Sequence, residues 1–144
     1  MTTRTGKCLC GAVSLTAKIS DPKLTACHCT QCQRWTGGGP LVSVRVDALD
    51  FSDTSKVQEH SVSAWGVRAF CGNCGSTLYW RMADAPTKFI SVGLLDDQSG
   101  LRLTEEIFVD YRADWLEPVP GASQSTEAEQ LALLQEYLDG KPKT

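Results

Sequence analysis

Seven cysteines are the residues of this chain best suited to chemistry, and they fall in three tight groups: Cys8 and Cys10; Cys27, Cys29 and Cys32; Cys71 and Cys74. An odd number cannot all pair internally as disulfides, and close C-x-C and C-x-x-C spacings without a secretory signal read first as metal ligands. Free core thiols or a redox pair are the competing readings. Four thiolates around zinc at about 2.3 Å make a closed tetrahedral site with a structural role, whereas three leave a position for water or substrate, as in catalytic sites. Cys27-His28-Cys29-Thr30-Gln31-Cys32 offers three sulfurs that can reach one ion. Three thiolates give Zn²⁺ a net negative charge and weaken its Lewis acidity. Such a centre suits holding a substrate thiolate better than generating hydroxide.

Cys71-Gly72-Asn73-Cys74-Gly75 is a good half-site, because a tight turn brings two sulfurs together and glycine allows positive φ. Cys8-Leu9-Cys10-Gly11 is the candidate other half. Residues i and i+2 of a straight strand share a face, but their Cα atoms lie about 6.6–6.8 Å apart, so a bend at Gly11 is expected. Spacing alone leaves the pairing of the cysteine groups open. His28, flanked by cysteines, reads as a structural or supporting residue, with a fourth metal ligand as the alternative. The triple glycine Gly37-Gly38-Gly39, after Arg34 and Trp35, reads either as a close backbone approach to a ligand or as a plain flexible loop. His60, in a strand pattern, is given no metal role. Arg68, Trp80 and Trp115 read as structural, and Arg68 is also a cation available to an anionic substrate.

The elements that must position these groups are mostly strands. From Cys8 to Ile19 the chain alternates after its glycine, with Val13, Leu15 and Ala17 on one face. Pro40–Val46, Val57–Ser63, Gly66–Phe70, Ser76–Arg81, Phe89–Leu95 and Ile107–Val109 are further strand-like runs, separated by Asp, Gly, Pro and Ser turn signals. Many short strands without intervening amphipathic helices predict antiparallel sheets. Only the C-terminus reads as a helix: Thr126 and Glu129 form a capping box, Leu131, Leu134 and Leu138 recur at helical spacing, and Gly140 ends it. That helix is expected to pack on the domain, with packing on a second subunit as the alternative.

Composition narrows the classes. The 144 residues are 42% hydrophobic and 22% charged, which predicts a single globular domain over 1–144. A net charge of −3 argues against nucleic acid as partner. No apolar run approaches the roughly 20 residues of a membrane span, and the N-terminus lacks a signal-peptide core, so a cytoplasmic address is expected.

Three blocks, Gly6 to Val13, Cys27 to Arg34 with glycines after it, and Phe70 to Leu78, closely resemble the glutathione-dependent formaldehyde-activating enzyme family, which also contains centromere protein V. Ile107 to Trp115 is similar to that family's closing strand and tryptophan, so the likeness covers about residues 6–118; the linker and helix over about 119–140 lie outside it. The resemblance implies a mainly β, Mss4-like β-tent of antiparallel sheets stapled by zinc. It implies two zinc ions: a structural one on Cys8, Cys10, Cys71 and Cys74, and an open, catalytic one on Cys27, Cys29 and Cys32. It further implies a carbon–sulfur lyase reaction run backwards, in which a small thiol such as glutathione, held as thiolate at the open zinc, condenses with formaldehyde or a related small electrophile. The alternative is a non-catalytic zinc-stapled binding module, since fold does not fix function. Chromatin association, as in centromere protein V, is disfavoured by the acidic balance.

Overall fold

Alternation of apolar and polar side chains makes most of this chain strand, and the computed structural model, which describes residues 1–140, follows that pattern. In chain order the first elements are β1 (Thr2–Lys7), β2 (Ser14–Ile19), β3 (Lys23–Cys27), α1 (Thr30–Thr36), β4 (Leu41–Val46) and β5 (Ala48–Phe51). There follow β6 (Val57–His60), β7 (Gly66–Cys71), β8 (Thr77–Met82), β9 (Lys88–Ser91), β10 (Arg102–Ile107), β11 (Ser123–Ser125) and α2 (Glu127–Asp139). Single 3-10 turns span Val92–Leu94 and Val109–Tyr111. The fold is mainly β with a C-terminal helix, as expected. No described helix is long and apolar enough to cross a membrane.

The chain groups into two compact units. The first comprises Met1–Leu24 and Val42–Arg102. In it β1, β2 and β5 form an antiparallel sheet, with Gly6 opposite Leu15 and Leu15 opposite Phe51. Leu15, Ala17 and Ile19 turn inward from β2 while Lys18 faces out. Gly6 has a steric reason to be glycine: a Cβ there would lie 2.3 Å from the Leu94 carbonyl oxygen. Five more strands hydrogen-bond antiparallel in the order β4-β9-β8-β7-β6. Val44, Val67, Ala69, Leu78 and Ile90 from these strands are buried.

The second unit comprises Thr25–Leu41 and the chain from Leu103 onward. Its strands run in the order β11-β10-β3. The β10–β11 pair is parallel, with Glu106 opposite Gln124, which departs from the all-antiparallel expectation.

Other departures have local causes. β1, rich in threonine and largely exposed, lacks the apolar alternation that would have announced it. The Phe89–Leu95 run stays a strand only to Ser91, then forms a 3-10 turn that buries Leu94. The strand expected at Ile107–Val109 lies earlier and stops at Ile107, because Phe108 takes a left-handed φ of 55°. α2 forms its capping box between Thr126 and Glu129 and contains no fully buried residue, with Glu127, Gln130 and Leu134 half-buried. Trp115, expected to be structural, is 72% exposed.

Candidate metal centres

The first centre lies in the first unit. Cys8 and Cys10 sit in a turn closed by a hydrogen bond from the Gly11 amide to the Cys8 carbonyl, and Gly11 has φ 81°. This is the bend that C-x-C spacing required. Cys71 ends β7, and a turn closed by the Gly75 amide on the Cys71 carbonyl presents Cys74, with Gly75 also at φ 81°. The sulfurs of Cys8 and Cys10 are 3.6 Å apart, those of Cys8 and Cys71 3.7 Å, and those of Cys10 and Cys71 3.9 Å. A tetrahedron with metal–sulfur bonds of about 2.3 Å has edges of about 3.8 Å, so these separations suit one four-coordinate ion. All four sulfurs lie within 4.8 Å of one another.

The polar groups around them suit thiolates. The Val13 amide donates to the Cys8 sulfur at 3.3 Å and the Asn73 side-chain amide to the Cys10 sulfur at 3.2 Å. The Ser76 hydroxyl lies 3.1 Å from the Cys74 sulfur, and with the Ser76 amide it lowers the Cys74 thiol to about 5. Burial pushes the Cys71 thiol up. Ionising all four therefore needs a cation among them.

The second centre lies in the second unit. Cys27 ends β3, Cys29 is the N-cap of α1 and Cys32 is buried on the helix's first turn. The Cys27–Cys32 segment is thus partly helical. Seven residues are too few to show a helical period, so its ends define it: the Cys29 sulfur accepts the Cys32 amide at 3.3 Å, and Gly37 closes the other end at φ 90°. The three sulfurs lie within 4.8 Å of one another. Hydrogen bonding to Cys29 and Cys32, then burial, push the Cys27 thiol far up. Three crowded thiols resist ionising together unless a cation neutralises them, and an all-sulfur donor set favours a soft or borderline ion such as zinc. The seven cysteines carry no disulfide.

His28, between two of these cysteines, is 2% exposed. Its amide donates to the Ile107 carbonyl at 3.0 Å, and its carbonyl accepts from Gln33 Nε2 at 2.7 Å. Its Nε2 donates to Glu106 Oε1 at 2.8 Å, while Nδ1 is buried with no hydrogen-bond partner. The other oxygen of Glu106 accepts from Gln124 Nε2 at 2.8 Å, the Val119 amide at 2.9 Å and Arg112 Nη2 at 3.1 Å. Arg112 also hydrogen-bonds the Gln124 side-chain oxygen. Burial alone would raise the Glu106 carboxyl, but Gln124, the Val119 amide, His28 and Arg112 together hold it at about 2.

Sequence reasoning found every cysteine and missed Glu106, Gln33, Arg112 and Gln124. Glu106 shares a β10 face with Arg102 and Thr104, so its alternation reads as solvent-facing, yet the side chain is buried. Gly37, Gly38 and Gly39 all have positive φ, the conformation that only glycine adopts freely. Exposed His60 pairs in register with buried Arg68 on β7, and Trp80 meets Trp65 edge-on at 6.1 Å and Phe89 at a tilt at 5.9 Å.

Residues 3–111 match the family model for glutathione-dependent formaldehyde-activating enzyme. A Schizosaccharomyces pombe protein named an uncharacterized lyase is 30% identical over 110 residues, which are 76% of this chain and 80% of the relative. A crystal structure of a Rhodobacter sphaeroides protein overlays 85% of this chain and 99% of its own at a TM-score of 0.55 and 15% identity, a likeness of fold.

Proposed function

The chain belongs to the glutathione-dependent formaldehyde-activating enzyme family, and from that premise we propose that it joins a small thiol, glutathione or an analogue, to formaldehyde or a related small electrophile. The family match and the lyase-named relative support an enzyme of lyase type. The observation that carries the finer reading is the split of the cysteines into four mutually close sulfurs and three. In this reading Cys8, Cys10, Cys71 and Cys74 hold a zinc that only staples the fold. Cys27, Cys29 and Cys32 hold a second zinc with one position left for substrate. Zinc there would keep a bound thiol ionised at neutral pH while leaving its sulfur electron-rich.

The reaction balances without oxidant or reductant. A sulfur lone pair forms the new C–S bond, the carbonyl π pair moves onto oxygen, and the proton lost by the thiol equals the one gained by that oxygen. The chain's own part is to preset the three sulfurs by the β3 end, the N-cap and the first turn of α1. A non-catalytic module would need a fourth protein donor at the three-cysteine set. Among the described residues that set is three sulfurs, and neither ring nitrogen of His28 is grouped with them.

Cobalt substitution tests the reading, because its visible spectrum responds to sulfur ligation. Glutathione should change the spectrum, with apparent affinity rising with pH until the free thiol ionises. S-methylglutathione, which has no ionisable thiol, should change it far less. An unaltered spectrum at saturating glutathione, with the three-cysteine site loaded, would refute the assignment.

A further inference from the structure

We propose that Glu106 is a positioning residue for the three-cysteine site, tying the Cys27–Cys32 segment to the C-terminal stretch 119–124. The inference rests on the reading that Cys27, Cys29 and Cys32 hold a metal. His28 is the peptide between two of those ligands, so any rotation of its backbone swings the Cys27 and Cys29 sulfurs apart. Its amide is fixed by Ile107, its carbonyl by Gln33 and its ring by Glu106. Two of these three anchors are adjacent residues of β10. The Glu106 carboxylate can only accept, so His28 Nε2 carries the proton of their bond and the ring orientation is set.

The carboxylate is itself held from the far side. Val119 and Gln124, which both donate to Glu106 Oε2, and Arg112, which also does, all lie beyond residue 111, where the family match ends. The parallel register that places Gln124 opposite Glu106 makes this possible. The C-terminal stretch is therefore wired to the site through one buried side chain. Simple stabilisation explains the arrangement poorly: an apolar set of the same volume often serves as well as a buried ion pair, and His28 Nδ1 goes unpaired. Geometric restraint explains it directly.

The test uses the full-length zinc protein without substrate, with zinc withdrawn by a chelating dye. The step belonging to the three-cysteine site is identified by its loss in Cys29→Ser. Glu106→Gln keeps the volume but gives His28 and the three far-side donors only one good acceptor to share. It should weaken that step about tenfold or more, the usual cost of losing a group that orients metal ligands, and leave the four-cysteine step unchanged. Gln124→Ala, at an exposed residue, should weaken the same step by less. Equal weakening of both steps would mean general destabilisation and overturn the proposal, as would no change at the three-cysteine step. If Glu106→Gln fails to fold, an unchanged step in Gln124→Ala overturns it. A wild-type chain with no three-cysteine step would sink both this proposal and the functional reading. The expected shifts without any response to glutathione would sink only the latter.

Discussion

Replacing Cys71 by serine tests whether the four-sulfur centre staples the fold. Cys71 is wholly buried, and its sulfur lies 3.7 Å from that of Cys8, which is 63 residues away in sequence. Treated as a cross-link, a loop of that length removes about 4 kcal/mol of conformational entropy from the unfolded chain. The three-cysteine set closes only a short local loop, which on the logarithmic law is worth about 2 kcal/mol less. A domain of this size has about 5–15 kcal/mol in total, so the long staple alone is a large share. Serine offers a hard hydroxyl where zinc prefers a soft thiolate, so Cys71→Ser breaks the staple. Urea unfolding with zinc and a thiol-free reductant present should give Cys71→Ser a deficit of about 4 kcal/mol or outright loss of soluble protein. Cys29→Ser should lose half of that or less and also lose its response to glutathione. Equal deficits in the two variants, or none in Cys71→Ser, would refute the division of labour.

Elemental analysis of protein purified under reducing conditions should find two zinc ions per chain; folded protein containing none would end the metal reading. Acid should expose the Glu106 network. Its carboxyl is held at about 2 against the ordinary 4.5, so its contribution is complete above the unfolded value and is lost as pH falls through the folded one. That contribution is at most about 3 kcal/mol, so the stability gap between wild type and Glu106→Gln should narrow from about pH 5 to pH 2; a pH-independent gap would contradict the assignment. Gly6→Ala must displace the Leu94 carbonyl, 2.3 Å from the new Cβ, and should cost about 1–3 kcal/mol in thermal unfolding. An unchanged midpoint would show that β1 yields freely there.

How much was legible in the sequence depended on whether a residue's role is local. The cysteine groups announce themselves because a C-x-C or C-x-x-C pair must meet across a few bonds, and Gly11 and Gly75 carry the positive φ such turns need. The α2 capping box is local too, and Thr126 and Glu129 form it as expected. β1 was invisible because its residues are polar and its pairing with β2 is settled by partners far along the chain. Glu106 was illegible for the same reason. Its partners His28 and Gln124 lie 78 and 18 residues away, and nothing in the run Thr104-Glu105-Glu106 marks which carboxylate turns inward.

The separation of Cys10 from Cys71, 61 residues, also sets a schedule for synthesis. A ribosome adding about 5–20 residues per second needs about 3–12 seconds to cover it. During that interval Cys8 and Cys10 stand as half a site, while Cys27, Cys29 and Cys32 are complete almost as soon as they emerge. Under the zinc reading, the newborn chain would complete the three-sulfur set before the four-sulfur one, with Cys8 and Cys10 already present as additional thiols. The bond from the Cys32 amide to the Cys29 sulfur is local to α1 and involves no residue from later in the chain.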